Sequence, residues 1–333
     1  MKRRLIVFSG GCLLMAAGVG GQTNKVWTAP SAEQVNAVYP DVEALYLDLH
    51  SNPELSMHEQ QTASKLAERM RTLGYEVTTG LGGTGVVAIL RNGQGPTVLL
   101  RTDMDGLPVE EKTGLAYASH VVAKSDSGAT VPVMHACGHD VHMSSWFGTA
   151  KLMAANKQRW HGTLILIGQP AEETGRGASA MLKDGLFTRF PKPDFALAIH
   201  DASIERIVKG EALAGDAPRE PLVKVTPTTA ATYNDPELTR RVVAALRKTL
   251  GQANVVEIPP MMAFEDFSEF SLAGVPSSMF FVGAVEPARF AAAQQSGAPL
   301  PGLHSSLWAP DREPTLKTAI TTETAALLEV LGR

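Results

Sequence analysis

Three histidines and a cysteine crowd into MHACGHDVH, residues 134 to 142. Thiolate and imidazole are ligands that a borderline-soft divalent ion such as zinc selects, and cobalt and manganese suit a set that also includes carboxylate. Cys137 and His139 lie two apart, a spacing that suits an extended or turn segment, where i and i+2 share a side, better than a helix. Gly138 between them lets the backbone come close. Such a stretch needs partners, and the chain offers them where predicted strands run out. LILIG leads into Gln169-Pro170-Ala171-Glu172-Glu173, FALAI into His200-Asp201, and VLLRT into Asp103-Met104-Asp105. A late loop, Pro301-Gly302-Leu303-His304-Ser305, adds another histidine. In open α/β sheets the ligand crevice lies beyond the carboxyl ends of the strands, so all of these clusters can face one cleft.

Taken singly, the signals are weak. A loop histidine is usually only a polar residue, and paired glutamates are common on helix faces. Their joint placement makes the case for chemistry. Adjacent glutamates divide naturally into one that holds metal and one that takes a proton from water whose pKa the metal lowers. The reaction class that follows is hydrolysis of an amide or similar carbonyl compound.

The elements that must position these groups can be read from hydrophobic periodicity. From the capping residue Ser31, Val35, Val38, Val42, Leu45 and Leu49 recur at helical spacing until Asn52-Pro53. A second helix runs from about Glu59 to Leu73, with Ala63, Leu66, Ala67 and Met70 on one face. Strands are expected at GYEVTT, GVVAIL, PTVLLRTDMD, GTLILIGQP, FALAIH, PLVKVTP, VVEIP and SSMFFVG. Helices are expected from Val141 to Asn156, Ala178 to Asp184, Pro236 to Leu250, briefly after Glu265, and Leu316 to Leu331. This alternation predicts an α/β fold: a three-layer α/β/α sandwich around a mostly parallel central sheet. LILIG and FALAI lack polar alternation, as strands covered on both faces do.

Composition bounds the alternatives. The chain has 333 residues, 44% hydrophobic and 19% charged, enough for a large core, and its net charge of −4 comes without a basic tract. Nucleic acid is therefore not expected as a partner, and a small-molecule substrate is. Met1-Lys2-Arg3-Arg4 followed by the apolar stretch from Leu5 to Gly21 reads as a secretory signal peptide, residues 1–21, with cleavage before Gln22. Export to the periplasm or the extracellular space follows, with no stable membrane insertion after processing. Cys137 is then the sole cysteine of the mature chain, with no disulfide partner.

With these residues in view, the chain resembles the M20 metallopeptidase family in its amidohydrolase branch, which includes hippurate hydrolases, N-acyl-amino-acid deacylases and auxin-conjugate hydrolases. The matching stretches are HSNPELSMHE, RTDMDGLPVEEKTGL, MHACGHDVHMSS, GQPAEETGRGASAML, ALAIH, YNDPELT, MMAFEDFSEF and PGLHSS. The resemblance implies that Cys137, His139, Glu173, His200 and His304 bind two divalent ions (zinc, manganese or cobalt) and that Glu172 is the general base. It implies hydrolysis of N-acyl amino acids or small peptides by a metal-activated water, with Asp105 supporting the metal cluster from behind. It gives His135 and His142 packing or hydrogen-bonding roles, and Asp140 and Asp266 structural ones.

The chain departs from the family pattern at one place. Members usually insert a lid domain after the histidine matching His200; here HDAS runs at once into IERIVKGEALAGDAPREP. The expectation is a single catalytic domain over 22–333, the lid excised near 202–204 and replaced by a connection at 203–220. The lid mediates dimerisation and supplies a carbonyl-polarising histidine, so its loss predicts a monomer and weak turnover. The alternatives are a metal-binding scaffold impaired in catalysis and an aminopeptidase of related fold.

Overall fold

A computed structural model describes residues 29–202, 230–259, 261 and 263–332. The signal-peptide segment, PLVKVTP and the 203–220 connection lie outside the described residues. Helices α1 (Ala32–Ser51) and α2 (Gln60–Thr72) open the fold. Ser31 caps α1 through a capping box with Gln34, so the starting residue follows the sequence signal. Strands β1 (Glu76–Leu81), β2 (Gly85–Asn92) and β3 (Thr97–Asp103) follow, then a small hairpin of β4 (Val122–Lys124) and β5 (Thr130–Pro132). Next come α3 (His139–Ala155), β6 (Gly162–Gln169), α4 (Gly177–Lys183), α5 (Leu186–Arg189) and β7 (Phe195–Ala202). The described C-terminal part holds α6 (Pro236–Leu250), α7 (Ser268–Leu272), β8 (Ser277–Gly283), α8 (Pro287–Ser296) and α9 (Arg312–Leu331).

The main sheet has six strands in the order β1-β2-β6-β3-β7-β8. Its β6-β3-β7-β8 side is parallel, whereas β1 and β2 form an antiparallel hairpin whose second strand pairs antiparallel with β6. Successive side chains alternate between two cores, as strand geometry requires. Val86, Ala88, Leu90, Val98, Leu100, Leu164, Leu166 and Leu197 pack with α1, α2, α3, α6 and α9. Their neighbours Val87, Ile89, Leu99, Ile165, Ile167, Ala196 and Ala198 pack with Ala178, Met181, Leu186, Phe267 and Phe270 on the other face. The sheet is thus covered on both sides, as the three-layer reading anticipates. Among the described residues no helix is long and apolar enough to cross a membrane.

The strand expected at VVEIP does not form. Residues 255–259 are coil, and Val256 and Ile258 are exposed by 74% and 44%. Among the described residues this β-branched segment pairs with no strand, although the outer edge of β8 ends the sheet. The spacing also gave no sign of α8, whose residues are all exposed or half-buried and carry no core stripe to read.

Candidate metal centre

Parallel pairing brings the strand ends to one level. Asp103, the last residue of β3, pairs with Gln169 at the end of β6, and Arg101 pairs with Ala198, two residues before His200 on β7. The crevice anticipated beyond the strand ends is where the candidate residues meet. α3 enters it N-terminus first, with His139 as its first residue and Gly138 as N-cap. Gly138 has φ +76°, and a Cβ there would stand 2.2 Å from Asp201 Oδ2, so both conformation and space require glycine. The Cys-Gly-His segment is accordingly a turn, as its two-residue spacing suggested.

His139 Nδ1 lies 2.8 Å from the backbone oxygen of Asp105, and His200 Nδ1 lies 2.6 Å from that of Asp201. Each carbonyl accepts the Nδ1 proton, which leaves Nε2 as the free lone-pair donor of both rings. His200 Nε2 is 3.6 Å from Cys137 Sγ, and His304 Nε2 is 3.2 Å from the same sulfur. Glu173 closes the group: Oε1 is 3.8 Å from His139 Nε2 and Oε2 is 3.5 Å from His304 Nε2. All five residues named as ligands from the sequence therefore converge on one pocket. His304 is held there by its backbone N–H, which donates to the Ala136 oxygen at 2.8 Å, and by a left-handed backbone of φ 65°.

Two observations test whether cations fit. Among the described residues, buried His139 Nε2 and Glu173 Oε1 have no hydrogen-bond partner, a costly state that ligation would relieve. Donor atoms of Cys137, His139 and Glu173 also lie within 4.8 Å of one another, a thiol, an imidazole and a carboxylate suited to zinc, cobalt or manganese. A second group, Asp103, His139, His142 and His200, shares two members with the predicted set. The sequence places Asp103 in a strand-end cluster facing the cleft but assigns it no ligand role; the structure brings it into this second group. His142 is engaged on both sides, Nδ1 2.7 Å from Asp103 Oδ1 and Nε2 3.0 Å from Asp201 Oδ1. Burial opposes its charge, but these two carboxylates prevail and lift its pKa to about 9. His142 thus serves in hydrogen bonding, while the buried His135 side chain has no hydrogen-bond partner among the described residues and burial lowers its pKa to about 4.

The glutamate pair sits on a constrained turn. Ala171 has φ 50°, unusual for a residue with a Cβ, and strain of this kind concentrates at functional sites. Asp105 holds the next two residues: its Oδ1 accepts the Glu172 N–H and its Oδ2 the Glu173 N–H, both at 3.1 Å, while Ser56 Oγ donates to Oδ2 at 2.5 Å. From the other side, buried Glu59 accepts the Ala171 N–H at 2.9 Å and the Thr84 hydroxyl at 2.6 Å. Glu172 Oε2 is 3.7 Å from His139 Nε2. Burial and the neighbouring Glu265 push the Glu172 carboxyl well above the usual carboxylate range, and burial also raises Glu173. Burial likewise raises the Cys137 thiol. Ser56, Glu59 and Glu265 went unassigned in the sequence because their contacts are long-range.

Comparison with known proteins agrees with this geometry. Residues 99–296 match the sequence profile of peptidase family M20/M25/M40. Hippurate hydrolase from Campylobacter jejuni is 41% identical over 162 residues, 48% of this chain and 39% of that protein. N-acetyl-L-cysteine deacetylase from Bacillus subtilis is 41% identical over 138 residues, 41% of this chain and 31% of that protein. The aligned stretches thus span less than half the length of these relatives. Among solved structures, one from methicillin-resistant Staphylococcus aureus superposes with a TM-score of 0.72 at 22% identity, covering 90% of this chain and 98% of that one. A dinuclear metal binding peptidase of the M20 family from Bacillus subtilis gives 0.67 at 20% identity, covering 89% and 99%.

Proposed function

The chain belongs to peptidase family M20/M25/M40, and on that premise we propose that it hydrolyses the amide bond of N-acyl amino acids or small peptides, with Glu172 as the general base. The observation that carries this reading is the convergence of Cys137, His139, Glu173, His200 and His304 beside Glu172. Two divalent ions held by those five residues would polarise the scissile carbonyl and lower the pKa of a water molecule. Glu172 takes a proton from the attacking water as its oxygen bonds to the carbonyl carbon. The same carboxyl returns that proton to the amine nitrogen as the C–N bond breaks. Asp105 fixes the backbone of both glutamates, so base and ligand keep one separation throughout.

Two aligned relatives, a hippurate hydrolase and an N-acetyl-L-cysteine deacetylase, support an N-acyl amino acid as substrate class. Slow turnover belongs to the same proposal: no histidine occurs between Asp201 and His304 to polarise the carbonyl, and one missing oxyanion donor costs about a hundred- to a thousandfold in rate. The test is hydrolysis of hippurate and N-acetyl amino acids by purified protein supplied with manganese, cobalt or zinc. Turnover lost on Glu172→Gln supports the reading. Metal bound without turnover in the wild type overturns it in favour of a scaffold.

A further inference from the structure

A buried ionic network stands behind the catalytic turn. Arg101, on β3 and 1% exposed, extends its guanidinium beneath the strand ends. Its Nη1 donates to Asp103 Oδ2 at 2.6 Å, Nε to Gln169 Oε1 at 3.1 Å, and Nη2 to Glu265 Oε1 at 2.9 Å and Asp266 Oδ1 at 3.4 Å. Buried ion networks of this kind add little to stability compared with an apolar core of the same shape. One this complete, set against a site, calls for a role beyond stability.

Asp266 supplies the geometry for one. Its Oδ1 accepts the side-chain amide of Gln169 at 2.7 Å, and its Oδ2 accepts the backbone N–H of Ala178 at 3.0 Å. Gln169 is the last residue of β6 and Ala178 lies in the first turn of α4, so one carboxylate ties the entry of the turn carrying Glu172 to its exit. The two limbs touch: a Cβ at Gly177 would stand 1.5 Å from the Pro170 oxygen. Oxygen atoms of Glu172, Glu265 and Asp266 lie within 4.8 Å of one another.

We propose that Asp266, oriented by Arg101 and Gln169, is a positioning residue that clamps the 169–178 turn shut and so fixes where Glu172 stands. This rests on the reading of Glu172 as the base, but the clamp itself can be measured without turnover. Without the clamp the limbs are free to part and Glu172, together with the neighbouring ligand Glu173, loses its register with the metal pocket, while Cys137, His139, His200 and His304, carried on other segments, keep theirs.

The donor and acceptor pattern allows a test by exchange. Gln169→Glu alone brings two carboxylates together, and Asp266→Asn alone turns an amide N–H₂ toward a donor. In the double variant carboxylate and amide trade places: position 169 accepts from Arg101 Nε and from the new amide at 266, whose oxygen still accepts from Ala178, and only the long 3.4 Å contact from Arg101 Nη2 is lost. Each single variant is expected to lose about 10- to 100-fold in kcat, with KM little changed and metal bound more weakly, because Glu173 rides on the same turn. Hydrogen exchange of the 171–178 amides should quicken by about tenfold or more, the equivalent of one lost buried hydrogen bond, with the amides of α1 unaffected. The double variant should recover both.

Unchanged kcat and unchanged exchange in the single variants would overturn the proposal. So would losses that the double variant does not repair, or exchange that quickens equally in α1. Wild-type protein without turnover, but with exchange responding as expected, would leave the clamp standing and refute the hydrolase reading instead.

Discussion

The Nδ1 atom of His139 lies 2.8 Å from the backbone oxygen of Asp105, while the Asp105 side chain holds the backbone N–H groups of Glu172 and Glu173. One residue therefore orients both a candidate ligand and the proposed base beside it. Asp105→Ala leaves two N–H groups and the Ser56 hydroxyl without their acceptor. At about 1–3 kcal/mol for each buried donor left unpaired, the thermal midpoint should fall clearly. Activity should fall by about 10- to 100-fold, as when outer partners of metal ligands are lost. Calorimetry and steady-state kinetics on the same preparation check both.

Metal removal should destabilise the fold. A bound cation would give His139 Nε2 and Glu173 Oε1 the partners they lack among the described residues. An ion at about a hundred times its dissociation constant contributes about 2.7 kcal/mol, so the melting temperature should drop on adding chelator and return with zinc or manganese. Cys137→Ala and His139→Ala should blunt that response, whereas His135→Ala, at a histidine that packs without a hydrogen bond, should preserve it.

His50 sits between two acids, Nδ1 2.6 Å from Asp140 Oδ2 and Nε2 3.1 Å from Glu111 Oε1, and ties the end of α1 to the start of α3. Burial opposes its charge, but hydrogen bonds to Asp140 and Glu111 outweigh burial and raise its pKa from 6.5 to about 10. A histidine raised in the folded state gives stability that is full below pH 6.5 and is lost as pH rises through about 10. His50→Ala should cost about 3–5 kcal/mol, the usual penalty for breaking a buried pair, and should flatten the alkaline limb of the stability curve. Denaturant titrations between neutral and alkaline pH check the slope.

Glu323 gives a second pH signature. It lies 1% exposed on α9, with Oε2 accepting the Thr149 hydroxyl at 2.8 Å and Oε1 without a partner. Burial pushes its carboxyl from 4.5 to about 8. The folded state therefore binds the proton more tightly than the unfolded state, and stability falls as pH rises between those values. The slope from this group approaches about 1.4 kcal/mol per pH unit. Glu323→Gln should remove the slope and make the protein more stable than wild type above pH 8, with little difference below 4.5. A variant whose stability tracked the wild type across that range would refute this assignment.

The sequence carried the framework further than the supports. LILIG and FALAI announced doubly covered strands because burial on both faces removes polar alternation. Ser31 and Asn52-Pro53 bounded α1 through local capping chemistry. The proposed ligands were readable because thiol, imidazole and paired carboxylate stand out at strand ends. VVEIP misled because β-branched content says nothing about whether the segment pairs with a strand. Arg101, Glu265 and Glu59 stayed hidden for a related reason. Each acts through partners far away in the chain, as in the Arg101–Glu265 pair at 2.9 Å, and no local pattern encodes that meeting.

The central claim is that Glu172 performs proton transfer beside a metal pocket built from Cys137, His139, Glu173, His200 and His304. Its most direct test is metal content and hippurate hydrolysis measured together on wild type and Glu172→Gln. The account predicts divalent metal in both proteins and turnover in the wild type alone. Turnover that survives Glu172→Gln, or a wild type that hydrolyses its substrate equally well after its metal is stripped, would contradict it.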